Sequence, residues 1–466
     1  MAFTTRSDGN YCMRHLRRLF EGKILFVVAL ISLLTSSLVQ RYLGSHQTTN
    51  TDIDFYVYFF AAQTVHDNPH ANLYEGATDT NPQLRVAPVD SPLALHAKAA
   101  GFDIVGFYVY PPLLADLLAP FSQIPAHLAA TLWRIFNLVL VFASVLLLAR
   151  MLRVTILSFE FVVLAMAAFS FFPINETIFI GQITVVMLAL WTLGIVAYFD
   201  NRIILSAAAF ALATAFKITP ILLLPLFFIW KDRRWIVSYL AISLGLVSVM
   251  AAINGFPTVS VYPKVISAMG SGTLCGFNRT LGSLVEWIHY GKLFSYESAL
   301  EVMGKPVHGL SIVEKIVSVA FYLTCIFLAW RNRRQLDRAS RAATIAVFAL
   351  AVACIAPVSY RHAYTVAFIV IAIFWVRALR TPTRSLHVAL LAVTTFTLGT
   401  PFFDLAAEVS LSQFCKILFS SSWVIVSVLF CLNALFRAIS DGDGSMAVTM
   451  HRRVNISGGT SCVNIP

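Results

Sequence analysis

Long uninterrupted apolar runs decide what this chain can fold into. One extends from Ile24 to about Leu43. Others lie near 127–149, 154–172, 178–199, 235–253, 312–330, 342–357, 363–379, 386–401 and 413–436. Each has roughly the length a helix needs to cross the hydrocarbon of a bilayer. Two further runs, 203–216 and 219–230, are too short to span upright. They flank Lys217 and Pro220, and read as a hairpin that enters and returns, or as two short tilted helices. The expectation is an all-α polytopic membrane protein with about twelve membrane segments. Composition agrees. Hydrophobic residues make up 58% and charged residues 12%, the latter about half the share in a soluble protein. Disorder, a coiled coil and an ordinary cytosolic enzyme are excluded.

The formal net charge of +11 does not point to nucleic acid, because the basic residues sit in short clusters between apolar runs. These are Arg14/Arg17/Arg18, Arg150/Arg153, Arg202, Lys231/Arg233/Arg234, Arg331/Arg333/Arg334 and Arg377/Arg380/Arg384. With the N-terminus inside and 203–230 counted as a return, every cluster falls on the cytoplasmic side, as basic loops do. The expected organisation is a cytoplasmic N-terminus (1–23), a first membrane helix (24–43) and an outer loop (44–126). A membrane core (127–436) with a second outer loop (254–311) and a cytoplasmic tail (437–466) complete it. No A-x-A cleavage site follows the first helix, so it is expected to be retained rather than removed as a signal peptide. Short outer turns are expected near 173–177, 358–362 and 402–412. The seven cysteines show no CxxC or His/Cys metal spacing, and no disulfide framework is expected.

The first outer loop is acidic, and two stretches in it read as helices lying in the membrane interface. Residues 53–66 are rich in aromatics, with Thr51 or Asp52 placed to cap them. Pro111-Pro112 opens the second, which carries Leu113, Leu114, Leu117, Leu118 and Phe121 on one face.

Under this topology the polar groups that need explaining gather on the outer side. They are Asp52-Ile53-Asp54, Asn175-Glu176, Gly181-Gln182, Lys217, Asn278-Arg279 and Ser359-Tyr360-Arg361-His362. Ordinary loop polarity accounts for Asn175 and Glu176 at least as well as function does. It accounts poorly for Lys217, which lies between two short apolar segments. Arg361-His362 stand between the two readings, since an arginine at a helix end often only snorkels. Asp54 falls in the first turn of the first interfacial helix, where the helix N-terminus favours a carboxylate. Tyr58 lies one turn on, on the same face. A simple capping acid is the competing reading. Asp52-x-Asp54 also matches the D-x-D pattern of metal-dependent nucleotide-sugar transferases, but no cytosolic nucleotide-binding domain accompanies it.

The outer face carries no Gly-rich phosphate loop, H-E-x-x-H or G-x-S-x-G, and no His/Asp/Glu cluster for a catalytic metal. One candidate base and several cations beside a lipid phase suit transfer of a group from a lipid-linked phosphate. The phosphate leaves as a stable anion, so the paired carboxylates of a glycoside hydrolase are not needed. Lys217, Arg279 and Arg361 could neutralise it, and Asp54 could take the proton of an acceptor hydroxyl. No cofactor and no metal is expected.

At these residues the chain resembles the polytopic glycosyltransferases of family 87, of the GT-C fold. Their relatives include polyprenyl-phosphate-mannose-dependent α-mannosyltransferases of bacterial envelopes. The matching pieces are Asp54-Phe55-Tyr56-Val57-Tyr58 with Ala61-Ala62, Leu73-Tyr74, and Phe107-Tyr108-Val109-Tyr110-Pro111-Pro112-Leu113. Gly181-Gln182, Lys217-Ile218-Thr219-Pro220 and Ser359-Tyr360-Arg361-His362 follow in order. The resemblance implies a GT-C membrane core in the bacterial inner membrane with its active site facing the exterior. It implies a polyprenyl-phosphate sugar as donor, mannose being the family's best-known sugar, and a glycolipid or glycan acceptor. It also implies inverting single displacement, with the first-loop aspartate as base. That role carries to Asp54, since the family's acid precedes the aromatic run, and Asp52 is the lesser candidate. Phosphate binding maps onto Arg361 and His362; Lys217, Arg279, Asn278, Gln182, Tyr58 and Tyr110 complete the candidate substrate-binding set. Relatives often place a second His near the Arg361–His362 pair, where this chain has a single one. The competing functions are a twelve-segment transporter and a lipid-glycan ligase or polymerase. Paired halves with midplane polar groups would mark the first, and a large loop late in the chain the second.

Overall fold

The protein's structure, a computed structural model, describes residues 27, 31, 53–77, 87–156, 158–269, 278–291, 308–333, 336–356, 359–380, 385–400 and 412–440. Asp52, the expected first membrane helix apart from Val27 and Ile31, the 402–411 turn and the tail beyond 440 lie outside them.

The described residues are mainly helical, with no strand among them. The order begins with α1 (Ile53–Asp67), α2 (Pro92–Ala99) and α3 (Leu113–Leu118), the last extended by a 3-10 turn, Ala119–Phe121. Then come α4 (Ala126–Met151), α5 (Phe159–Ser170), α6 (Phe172–Ile180), α7 (Thr184–Phe199) and α8 (Ile203–Phe216). A 3-10 turn, Thr219–Leu223, leads into α9 (Leu224–Ile229), α10 (Arg233–Asn254), α11 (Phe256–Met269), α12 (Leu281–Tyr290), α13 (His308–Asn332) and α14 (Arg338–Ile355). A 3-10 turn, Arg361–Val366, precedes α15 (Ala367–Arg380), α16 (Ser385–Gly399) and α17 (Gln413–Ser440).

Local chemistry sets many of these boundaries. Ser91, Ser158, Asp232, Thr280 and Asp337 each accept a hydrogen bond from a backbone N–H of the helix they open. Each satisfies a donor that the first turn would otherwise leave bare. Pro173 explains the main departure from expectation. It stands in the first turn of α6, where its missing N–H costs nothing, and Phe171 before it is extended. The 154–172 run therefore ends as α5, and the expected turn at 173–177 is instead helical, within α6. The α5–α6 pair is bent by 52°. The expected outer loop 254–311 likewise contains α11 and α12. Gly255 breaks the chain between α10 and α11 in a left-handed conformation, φ +80°.

Among the described residues six helices are long and apolar enough to cross a membrane, and the bent α5–α6 pair would make a seventh. α7, α8, the 219–229 segment and α16 are shorter apolar helices. Described members of the basic clusters, Arg150, Arg153 and Arg380, lie together at one end of the bundle. Arg150 pairs with Asp200 at 2.7 Å, Arg380 donates to the Leu152 carbonyl, and Arg341 lies over Trp230, 5.4 Å from its ring. α8 leaves this end after Arg202, the chain turns at Lys217, and α9 returns to it, where Trp230 stacks on Tyr198 at 6.0 Å. The hairpin alternative thus describes 203–230. At the opposite end α1 is buried almost all round, packed among α2, α3, α4 and α6. It is more enclosed than a helix resting on lipid would be.

Candidate catalytic site

The site is assembled where α1 meets the end of α6. Gly181 terminates α6 in the left-handed conformation, φ +73°. A Cβ there would stand 2.5 Å from the Cβ of Phe55. Only glycine lets α1 come so close. Trp133 of α4 locks the junction, its ring N–H donating to the Gly181 carbonyl at 2.8 Å while the ring stacks on Phe55 at 5.6 Å.

This approach puts Gln182 between residues of α1. Its Nε2 donates to Asp54 Oδ2 at 3.0 Å. Its Oε1 accepts from the Tyr58 hydroxyl, from the Tyr110 hydroxyl at 2.9 Å and from the Ile183 N–H at 2.9 Å. With three donors on the oxygen, the amide has one satisfying orientation, and its N–H₂ is turned toward the carboxylate. Asp54 and Tyr58, one turn apart, thus grip opposite ends of one side chain. Burial pushes the Asp54 carboxyl up to about 6. Glu176 adds to the rise, and the Gln182 hydrogen bond and the charge of Lys217 oppose it.

Arg361 reaches Glu176 of α6 at 2.7 Å and lies over the Phe172 ring, 5.3 Å from its centre. His362 is buried beside it, within electrostatic reach of Lys217. A cluster of buried hydroxyls fixes this turn to α6. Thr365 Oγ1 lies 3.0 Å from Thr177 Oγ1, which lies 2.8 Å from Thr184 Oγ1. Thr365 also donates to the carbonyls of Pro173 and His362.

Lys217 makes no ion pair among the described residues. It lines a small cavity together with Thr184, Trp191, Thr219 and Ser359. Ser359 Oγ is buried with no hydrogen-bond partner among the described residues. The Ser359 backbone is held on both sides. Its N–H donates to Asn278 Oδ1 and its carbonyl accepts from the Arg279 N–H, each at 2.7 Å. The Arg279 guanidinium lies over Trp287 of α12 at 5.6 Å, and the Tyr364 hydroxyl donates to the Arg279 carbonyl.

Asp54, Tyr58, Tyr110, Gln182, Lys217, Arg361 and His362 are therefore brought into one neighbourhood. Asn278 and Arg279 adjoin it through their grip on Ser359. The sequence marks Glu176 as a polar group that loop polarity explains at least as well as function does, and it does not single out Thr177, Thr184 or Thr365. A carboxylate inside an apolar stretch was the available signal for Glu176; the threonines gave none.

The sequence model of glycosyltransferase family 87 matches residues 108–357, more than half of the chain's 466. The chain belongs to glycosyltransferase family 87. This family 87 member is thus a membrane glycosyltransferase, which removes the transporter reading. The matched stretch contains Tyr110, Gln182, Lys217, Asn278 and Arg279; Asp54 and Arg361–His362 lie outside it. Among curated proteins none matches the chain.

Proposed function

We propose that this glycosyltransferase takes a sugar, with mannose the first expectation, from a polyprenyl-phosphate donor. It passes the sugar to a hydroxyl of an envelope glycolipid or glycan at the outer face of a bacterial plasma membrane. The observation that carries this reading is a buried carboxylate, Asp54, sharing a field with Lys217, which has no ion-pair partner among the described residues.

In the reaction the acceptor oxygen attacks the anomeric carbon from the face opposite the phosphate. The carbon–oxygen bond to the phosphate breaks and the configuration inverts. Asp54 takes the acceptor's proton, and the polyprenyl phosphate leaves with the bonding electrons. Gln182 keeps the carboxylate aimed, and its other contacts, to Tyr58 and Tyr110, keep Gln182 itself from turning. Lys217, with the Ser359 hydroxyl and His362, holds the departing phosphate. Arg361, paired with Glu176, holds the turn.

A lipid donor also needs a path for its chain. An apolar cavity of about 460 Å³ runs between α5 and α15, lined by Phe171, Phe368, Leu164, Ile371 and Trp375. Phe171 immediately precedes α6, which carries Glu176, and Phe368 follows the turn that carries His362, so the cavity starts beside the charged cluster. A phosphodiester carries one negative charge, which a protein cation can balance without a divalent metal.

The test is transfer by the purified protein from polyprenyl-phosphate mannose, from other lipid-phosphate sugars and from nucleotide sugars, with and without chelator. Transfer from a lipid-phosphate sugar that persists in chelator is expected. Use of nucleotide sugars alone, or loss in chelator with recovery on adding a divalent cation, would overturn the reading. The second result would make Asp52 and Asp54 metal ligands.

A further inference from the structure

A second polar patch lies where α3, α10 and α11 converge. Asn254 Nδ2 donates to both carboxylate oxygens of Asp116, at 3.1 and 2.9 Å, and to the Met250 carbonyl at 3.2 Å. Asn254 is 1% exposed, yet its Oδ1 has no hydrogen-bond partner among the described residues. Asp116 itself is half-buried. Tyrosines wall the patch. The Tyr74 ring lies 6.0 Å from both Tyr108 and Tyr262, and Tyr262 is partly exposed. Exposed His70 stands beside Gly255, its Nδ1 3.4 Å from where a Cβ there would be. The patch is joined to the catalytic network. The Tyr74 hydroxyl donates to the Tyr110 carbonyl at 2.8 Å, and the Tyr110 hydroxyl reaches Gln182.

A tie that only fastened α3 to α10 would use up both partners. Here one N–H₂ serves two carboxylate oxygens, which have lone pairs to spare, and an amide oxygen beside them is unused. A ligand fitting this patch must bring several donors. It must carry no negative charge, because Asp116 would repel an anion, and it must present an apolar face to tyrosine rings. A sugar ring does all three. Its adjacent hydroxyls donate to a carboxylate, and its C–H face lies on an aromatic ring.

We propose that Asp116, Asn254 and Tyr262 form the acceptor subsite, binding the sugar ring whose hydroxyl is presented to Asp54. This rests on the glycosyltransfer reading above and extends it to the second substrate. A carboxylate that accepts hydroxyl donors is among the stronger kinds of neutral-ligand contact, worth about 1.5–3 kcal/mol.

The experiment uses full-length protein in lipid nanodiscs, polyprenyl-phosphate mannose as donor and octyl glycosides as acceptor probes. Transfer to octyl glycoside and hydrolysis of the donor by water are followed together. Asp116→Asn should raise the acceptor KM by roughly 10- to 100-fold, the contact energy converted at 1.4 kcal/mol per decade. Tyr262→Ala, at a partly exposed position, should raise it several-fold. Donor KM and donor hydrolysis should stay unchanged in both. An unchanged acceptor KM in both variants would overturn the subsite. So would donor KM and hydrolysis shifting in step with it, the signature of a structural tie, and so would rejection of every octyl glycoside by the unsubstituted protein. If that protein neither hydrolyses nor transfers from any lipid-phosphate sugar, the glycosyltransfer reading fails, and the subsite with it.

Discussion

At the two ends of the bundle helices stop in the same left-handed turn but with different residues in it. At the basic end the turns after α4, α7 and α9 are made by Arg153, Asn201 and Lys231, with φ of 53°, 65° and 57°. A side chain in that conformation costs about 1–2 kcal/mol. All three are exposed, so the cost is only conformational and nothing stands in the way. At the site end α6 stops at Gly181, where Phe55 occupies the space a side chain would need. The ion pairs differ in the same sense. Arg150–Asp200 has a largely exposed arginine, whereas Arg361–Glu176 is mostly enclosed, with side chains 23% and 12% exposed. Similar turns and ion pairs are exposed at one end and enclosed at the other. Tolerance to substitution should divide along that line.

The largest effect should come from Gly181→Ala. The added methyl must push α1 away from α6, moving Asp54 off Gln182. Misplacement of a catalytic group by about 1 Å costs on the order of 100-fold, so turnover in a donor-transfer assay should fall at least that far. Activity within a few-fold of normal would mean the α1–α6 contact is not what aims the base.

Gln182→Leu should be next, costing on the order of tenfold or more through loss of one aiming hydrogen bond. It also moves the pH profile. On the proposal that Asp54 is the base, its carboxyl, which burial holds at about 6, sets the acid limb. A base must be deprotonated, so kcat/KM should be flat above that pH. Below it, kcat/KM should fall with a slope of one, about tenfold per unit. The Gln182 hydrogen bond lowers the Asp54 pKa. Removing it raises the pKa, so in Gln182→Leu the acid limb should begin at higher pH. A limb that stays put or moves down would detach Gln182 from the base.

Thr365→Val removes the hydroxyl that joins Thr177, Pro173 and His362. It leaves partners unsatisfied in a buried place, at about 1–3 kcal/mol, and should lower the melting temperature while raising donor KM. At the basic end, Arg150→Gln should leave turnover within about twofold, since pairs so exposed contribute roughly 0–1 kcal/mol. Lys231→Gly should be neutral or slightly stabilising in thermal unfolding, because glycine takes the left-handed turn without penalty. A large loss of transfer in either would erase the contrast between the ends.

What the sequence reveals follows the range over which each feature acts. The helix carrying Asp54 and Tyr58 is legible because both residues lie within one turn and the apolar runs around them are long. The all-α membrane fold is legible for the same reason, and so is the break at Lys217 and Pro220, although the sequence leaves a hairpin and two tilted helices both open there. The Gly181-Gln182 pair is visible as a motif, but its reason is not. Phe55 meets Gly181 only after folding, and Gln182 and Asp54 are 128 residues apart. Asp116 and Asn254, 138 residues apart, are equally silent. Glu176 reads as loop polarity from the sequence because the topology puts an outer turn at 173–177, whereas Pro173 opens α6 there. Arg361 reads from the sequence as a phosphate ligand, and only the fold reveals that it pairs with Glu176.

The central claim is that Asp54 is the base, and Asp54→Asn tests it most directly. Asparagine keeps the shape and can still meet Gln182 but cannot accept the acceptor's proton. Donor binding and single-turnover transfer would be measured on the purified variant beside Asp52→Asn. Transfer should fall by roughly 10²–10⁴-fold, the range for loss of a general base, with donor affinity changed little and Asp52→Asn milder. Near-normal transfer by Asp54→Asn, with Asp52→Asn the damaging change, would contradict the account.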